Sequence, residues 1–236
     1  MWKTIANLAQ EILFPEKCIK CGREKEGYIC LDCAATMDIL DRTPCPYCHS
    51  ANPPDHICAK HRSHLHRLCA ATRYQDPLAQ NAIKLLKYEP CVKNLSQSLA
   101  KIIWYHLQLS EISQDIIGQF AIVAVPLHIS RLKKRGYNQS EEIAKHLSGF
   151  LKIPLIENGL KRRTQKGQTQ ALSDKAARLL NVEDCFYVPH PEKVKSRKIM
   201  LIDDVFTTGA TLEECAKVLK QNGSEEIWGV VFARGS

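Results

Sequence analysis

The chain has 236 residues, 25% of them charged and 44% hydrophobic, which is enough apolar content for one large core or two smaller ones. Lys and Arg outnumber Asp and Glu by 33 to 25, and the resulting charge of +8 points toward phosphate-bearing partners without favouring any fold. No apolar run approaches the roughly 20 residues that span a bilayer. The start, MWKTIANLAQEILFPEKC, lacks a signal-peptide layout, so we expect a cytoplasmic protein that meets a membrane only peripherally or through a partner.

Taken in chain order, Ile5, Leu8, Ile12 and Leu13 recur at helical spacing near Trp2 and predict a short helix docked on the protein's own body. Seven of the 11 cysteines follow between Cys18 and Cys58, six of them in CxxC pairs, a pattern of reduced metal-binding thiols. Cys18, Cys21, Cys30 and Cys33 form two knuckles that suit tetrahedral zinc, because each CxxC turn presents both sulfurs to one ion. Cys45, Cys48, Cys58 and His61 repeat the layout with a histidine as fourth donor. His56 and His64 are rival donors, and the alternative is a second half that holds no metal and packs beneath the first. One or two structural zinc ions are expected, since so short a segment with few large apolar side chains folds only with help from the metal. Cys69, Cys91, Cys185 and Cys215 stand outside the pattern and receive no role.

Near residue 70 the cysteines thin out and amphipathic stretches begin, dividing the chain into a helix and zinc-ribbon unit, 1–69, and a larger unit, 70–236. FAIVAVP reads as a strand. SEEIAKHLSGFL reads as a helix capped by Ser140, with Ile143, Leu147 and Leu151 facing inward. RKIMLIDD reads as a buried parallel strand, TLEECAKVLKQNG as a helix burying Leu212, Cys215, Ala216 and Leu219, and EEIWGVVFA as another strand. The β-loop-α-β order puts the intervening turn at the carboxyl end of a strand, where open α/β sheets bind ligands. Thr207, Thr208, Gly209, Ala210 and Thr211 can offer N–H groups and hydroxyls to a phosphate at the helix N-terminus. Asp203 and Asp204 would repel a bare phosphate, so they address hydroxyl donors, Mg²⁺ or both. No GxxxxGK[ST] or GxGxxG is present, which argues against a nucleoside-triphosphate loop or a dinucleotide fold.

DDVFTTGAT, Asp203 to Thr211, resembles the phosphoribosyl pyrophosphate (PRPP) signature of type I phosphoribosyltransferases. VPLHISRLKKRGYNQS resembles the RGFNQ region of the ComF competence proteins, with Tyr137 in place of Phe. RRTQKGQTQALSDKAARLLNVEDCF resembles their flexible loop, and their paired zinc knuckles occur in the same order. The resemblance implies a type I phosphoribosyltransferase-like α/β fold, a parallel sheet flanked by helices, with a small N-terminal zinc-ribbon domain. It gives Asp203 and Asp204 to the ribose hydroxyls, Thr207 to Thr211 to the 5′-phosphate, and the segment from Leu127 and His128 to Arg131 to the pyrophosphate loop. Arg131 and Arg135 become donors to the leaving group, with Lys133 and Lys134 as competitors. Arg163, Thr164 and Gln170 fall in the closing loop, and Lys84 and Lys87 match a family lysine motif.

The implied function is binding of PRPP with Mg²⁺ in natural DNA transformation, with phosphoribosyl transfer as the possible reaction. The alternative is a non-catalytic, PRPP-responsive scaffold that binds single-stranded DNA and a helicase-like uptake partner at the inner face of the membrane. RLKKR and LKRRTQK are the basic clusters that would track a nucleic-acid backbone. At 7% aromatic residues, a long base-stacking platform is not expected.

Overall fold

Short runs of Val, Ile, Leu, Ala and Phe bounded by polar turns become strands buried on both faces, and amphipathic stretches between them become the helices that cover those faces. The computed structural model describes residues 16–24, 27–41, 44–48, 50, 57–58, 60–88, 91–110, 119–163 and 184–235. The helix expected around Ile5 to Leu13, His56, Thr164 and Gln170 lie outside them.

In chain order the elements are α1 (Leu31–Ala34), β1 (Arg67–Arg73), α2 (Pro77–Lys87), α3 (Leu95–Leu109), β2 (Phe120–Ala124), α4 (Ile129–Arg135), α5 (Gln139–Leu151), β3 (Lys161–Arg162), β4 (Phe186–Tyr187), a 3₁₀ turn at Pro191–Lys193, β5 (Lys198–Phe206), α6 (Ala210–Gln221) and β6 (Glu226–Arg234). The main sheet runs β1-β6-β5-β2 with every pairing parallel, and β3 and β4 form a separate antiparallel pair. The strands read from FAIVAVP, RKIMLIDD and EEIWGVVFA are therefore present as a parallel set.

Strand alternation divides the core into two layers. Cys69, Ala71, Met200, Ile202, Val230 and Phe232 face α2, α3 and α5. Leu68, Ala70, Ile199, Leu201 and Val231 face α6 and the β3–β4 pair. Leu212, Cys215, Ala216 and Leu219 are all buried, as the helical spacing requires.

The cysteine segment wraps one sheet edge. Cys18, Ile29, Cys30, Cys33 and Met37 pack into the α2/α3 layer. The chain then runs along β1, where the Leu40 N–H donates to the Ala71 carbonyl at 3.0 Å and the Thr72 hydroxyl donates to the Asp38 carbonyl at 2.7 Å, so an open strand edge is covered. Beyond it Leu40, Ile57 and Leu65 join the opposite layer. The second cysteine group therefore packs against α6 and β6 and not beneath the first group. Residue 70, where the composition changes, lies inside β1.

The strand read from RKIMLIDD does contain Asp203 and Asp204 and runs on to Phe206, so the turn begins only at Thr207. One local expectation is corrected. The cap of α5 is Asn138, whose side-chain oxygen accepts from the Ser140 N–H at 3.2 Å, while Ser140 lies inside the helix with its hydroxyl turned elsewhere.

Candidate functional site

The carboxyl ends of β1, β2 and β5 open into a cleft of about 1340 Å³ that collects Tyr74, Lys84, Lys87, Leu127, His128, Arg131, Arg162, Arg163, Asp203, Asp204, Thr207, Thr208, Ala210 and Thr211, among others. Pairing with β6 carries β5 as far as Phe206, which delivers the two aspartates to the cleft floor as part of a rigid strand. The pleat then gives them different surroundings. Asp204 is 2% exposed; Lys87 Nζ lies 2.9 Å from its Oδ1, and its Oδ2 is buried without a hydrogen-bond partner among the described residues. Asp203 is half-buried, and its Oδ1 accepts from the Ser140 hydroxyl at 2.8 Å and from the Asp204 N–H at 2.9 Å.

Burial and the neighbouring Asp204 charge push the Asp203 carboxyl up to about 7, against the pull of Lys87 and Ser140. At Lys87 burial would lower the ammonium, but the Asp204 carboxylate more than compensates and holds it above the usual lysine value. Burial, then Arg162 and Arg131, depress the His128 imidazole, which favours its neutral form beside the cleft.

Beyond β5 the chain turns through Thr207 and Thr208 to Gly209, which has φ +80° and forms the N-cap of α6. A Cβ there would stand 2.5 Å from the Phe206 ring, so glycine is demanded by both backbone and space. Gly209 has no side chain to cap α6; the Ala210 N–H donates to the Thr208 hydroxyl at a long 3.4 Å, and Ala210 and Thr211 of the first turn line the cleft.

The opposite wall follows β2. His128 caps α4, its Nδ1 accepting from the Ser130 N–H at 3.2 Å, and Arg131 reaches the cleft one residue later. Arg162 and Arg163 close the rim, their guanidinium groups 5.3 Å and 5.2 Å from the Phe186 and Tyr187 ring centres. Arg135 is not among the residues lining the cleft. Its Nε donates to the Lys87 carbonyl at 3.0 Å and its Nη1 donates to Gln139, while the Tyr137 hydroxyl donates to the Leu86 carbonyl at 2.6 Å and Asn138 Nδ2 to the Val125 carbonyl at 2.9 Å. The RGYNQ run is thus a brace that holds the end of α2, and with it Lys87, against the cleft floor.

Ser140 as the partner of Asp203, Lys87 as the partner of Asp204 and Arg162 as a rim cation have no local signal in the sequence. Their contacts join positions 63 and more residues apart for Ser140–Asp203, and further still for Lys87–Asp204.

The two cysteine groups assemble as their spacing predicts. Cys18, Cys21, Cys30 and Cys33 form one group and Cys45, Cys48, Cys58 and His61 the other, with every donor atom within 4.8 Å of the rest of its group. The Cys21–Cys30 and Cys48–Cys58 sulfurs are 3.7 Å and 3.4 Å apart. Tetrahedral zinc with bonds of about 2.3 Å places sulfurs about 3.8 Å apart, so both cages match that ion. His61 Nε2 is buried with no hydrogen-bond partner among the described residues, as expected of a nitrogen kept for a metal. Burial and the neighbouring thiols push Cys33 up to about 12, a cost that a bound cation would reverse. His64, the rival donor, is outside the second group and near Glu213 instead.

Among the described residues no helix is long and apolar enough to cross a membrane.

A family model described as the phosphoribosyl transferase domain matches residues 91–236. Competence protein F of Haemophilus influenzae is 33% identical over 142 residues, covering 59% of this chain and 62% of that protein. DNA utilization protein YhgH of Escherichia coli is 27% identical over 206 residues, 85% of this chain and 88% of that one. Competence protein ComFC of Streptococcus pneumoniae is 22% identical over 233 residues, 89% and 96% of the two chains. Among solved structures, glutamine PRPP amidotransferase from B. subtilis superposes with a TM-score of 0.42 at 14% identity over 64% of this chain and 30% of its own. A purine phosphoribosyltransferase from Pyrococcus horikoshii gives 0.33 at 16% identity over 58% and 82%.

Proposed function

The chain belongs to the phosphoribosyltransferase domain family, in its ComF-type competence branch, and on that premise we propose that its cleft binds PRPP or a related ribose 5-phosphate with Mg²⁺. One observation carries the reading: the Asp203–Asp204 pair and the uncapped N-terminus of α6 open into the same cleft. Asp203 and the bare Oδ2 of Asp204 accept from the ribose 2′ and 3′ hydroxyls. Thr207, Thr208, Gly209, Ala210 and Thr211 hold the 5′-phosphate in the positive field of the helix end. Leu127, His128 and Arg131, joined by Arg162 and Arg163, face the pyrophosphate, and Arg135 supports them from behind. Asp203, half-buried at the cleft floor, is the residue that would help hold Mg²⁺, which would supply charge stabilisation to the leaving group.

A transferase built this way stabilises departure of pyrophosphate from C1 by placing cations before the charge develops, while the phosphate grip positions the sugar. The acceptor would enter along the polar face of α2, where Gln80, Asn81 and Lys84 line the remaining wall. Since the relatives are named for competence and DNA utilization, we assign the activity to the handling of incoming DNA on the cytoplasmic side, with a zinc-ribbon unit (1–69) and a phosphoribosyltransferase-like unit (70–236).

Calorimetric titration with PRPP and Mg²⁺ tests the reading. Wild-type protein is expected to bind, and Asp203→Asn/Asp204→Asn to lose at least about tenfold, since hydrogen bonds to charged groups carry roughly 1.5–3 kcal/mol. Absence of binding at millimolar ligand overturns it, and pyrophosphate release across bases and amines then identifies an acceptor.

One observation favours the scaffold reading as a second function. Lys133 and Lys134 are exposed at the end of α4 and belong to no ion pair among the described residues. If they track single-stranded DNA beside a helicase-like partner, changing both to Ala lowers the salt dependence of DNA binding by about two counterions. An unchanged slope removes that patch from the function.

A further inference from the structure

Glu213 stands in the first turn of α6, where the sequence alone would make it another solvated acid of an amphipathic helix. The fold withdraws it, leaving 22% of its side chain exposed. The Tyr47 and Ser63 hydroxyls both donate to its Oε1, the His64 N–H donates to Oε2 at 3.0 Å, and His64 Nδ1 lies 3.5 Å from the same oxygen. All of these partners neighbour the second cysteine–histidine group in the chain: Tyr47 lies between Cys45 and Cys48, and Ser63 and His64 closely follow His61. Tyr47 also tilts against the His61 ring at 5.2 Å. Glu213 lines a cavity of about 510 Å³ between this group and α6. Ala210 forms part of that cavity and also of the main cleft, so the two share a wall at the first residue of α6.

A carboxylate in the first turn complements the positive end of an empty helix. Where that end must receive a phosphate, the same carboxylate competes for the field and repels the ligand. We propose that the second metal cluster acts on the phosphate turn through Glu213: the metal-ordered ribbon holds the carboxylate in the smaller cavity, and loss of the metal frees it to oppose phosphate at Thr207 to Thr211. Glu213 is thus a positioning residue, set by its donors and not by contact with ligand. The proposal rests on the reading of that turn as a phosphate site. Because such coupling is reciprocal, a bound sugar phosphate also raises the metal affinity of the second cluster.

The test uses zinc-loaded, full-length protein titrated with ribose 5-phosphate and with PRPP plus Mg²⁺. Tyr47→Phe/Ser63→Ala removes both donors to Oε1, leaving only His64 on Oε2, and the loosened carboxylate is expected to weaken binding about tenfold, within the usual range of site-to-site coupling. Adding Glu213→Gln to that pair removes the freed charge and is expected to restore affinity to within about twofold, the scatter of neutral substitutions. Unchanged binding in the double variant overturns the proposal, and so does a loss that Glu213→Gln fails to rescue. A second readout needs no sugar phosphate: zinc release to a chromogenic chelator should be several-fold faster for one of two ions in Tyr47→Phe/Ser63→Ala. Unaltered release means that the tie does not hold the ribbon and rejects the coupling. Wild-type protein that binds neither sugar phosphate rejects the cleft reading itself, whatever the release rate.

Discussion

Asp204 keeps one oxygen on Lys87 and the other without a hydrogen-bond partner among the described residues, while Asp203, one position earlier, accepts from the Ser140 hydroxyl. Removing Lys87 leaves a buried carboxylate without its counter-charge. Lys87→Met is expected to cost about 3 kcal/mol in urea unfolding, and Lys87→Met/Asp204→Asn distinctly less than the sum of the single changes. Asp203 sets a pH dependence of known sign. Its folded value is raised from 3.8 to about 7, chiefly by burial, so the folded state holds a proton that the unfolded chain releases, and stability falls as pH rises across that window. Hydroxyl and Mg²⁺ recognition requires the carboxylate, so PRPP affinity is expected to climb through about pH 7 in wild type relative to Asp203→Asn. Parallel profiles for the two proteins would contradict this. The aspartates were legible in the sequence because the motif is contiguous. Their unequal environments were not, since these come from α2 and α5, remote in the chain.

At the scale of elements, the turn proposed to hold phosphate depends on how β5 hands over to α6. The strand continues past the aspartates because Val205 and Phe206 pair with Ala233 and Arg234, a register no local pattern reveals. Gly209 then reverses the chain under the Phe206 ring. Gly209→Ala meets both a left-handed backbone and the ring 2.5 Å from its Cβ. The expected destabilisation is about 2 kcal/mol or more by thermal unfolding, with loss of sugar-phosphate binding at temperatures where the protein is still folded. Normal binding in that variant would mean that the turn adapts and does not form the phosphate cradle. The helix faces were readable from period alone, as Leu212, Cys215, Ala216 and Leu219 show. The α5 cap was misread because Asn138 and Ser140 are both good caps, and Asp203 draws the serine hydroxyl away.

Across the described residues, the cysteine segment is a strap over the β1 edge with a donor group that could hold a metal at each end, one on each face of the sheet. Metal analysis is expected to return two zinc ions per chain. Cys30 is fully buried in the α2/α3 layer, so Cys30→Ser is expected to lose one zinc and lower the melting temperature by about 5 °C or more, each kcal/mol in a chain of this size being worth roughly 2–4 °C. Retention of both zinc ions in that variant would remove Cys30 from the ligand set. The tie from the second cage to α6 runs through Glu213, and to β6 through Arg234, whose Nη1 donates to the Pro44 carbonyl at 2.8 Å.

The two cysteine groups, the amphipathic faces and the Asp–Thr–Gly motif can be read from the chain alone, because each depends on residues close in sequence whose geometry the local backbone imposes. Which aspartate is buried, that Arg135 braces Lys87 and stays out of the cleft, and that the second cysteine–histidine segment grips α6 through Glu213 emerge only once the fold has formed. Those outcomes follow from parallel pairing and layer packing, which bring together groups separated by 166 residues between Tyr47 and Glu213 and by 190 between Pro44 and Arg234. No periodicity records such a meeting; the fold has to close before its electrostatics exist.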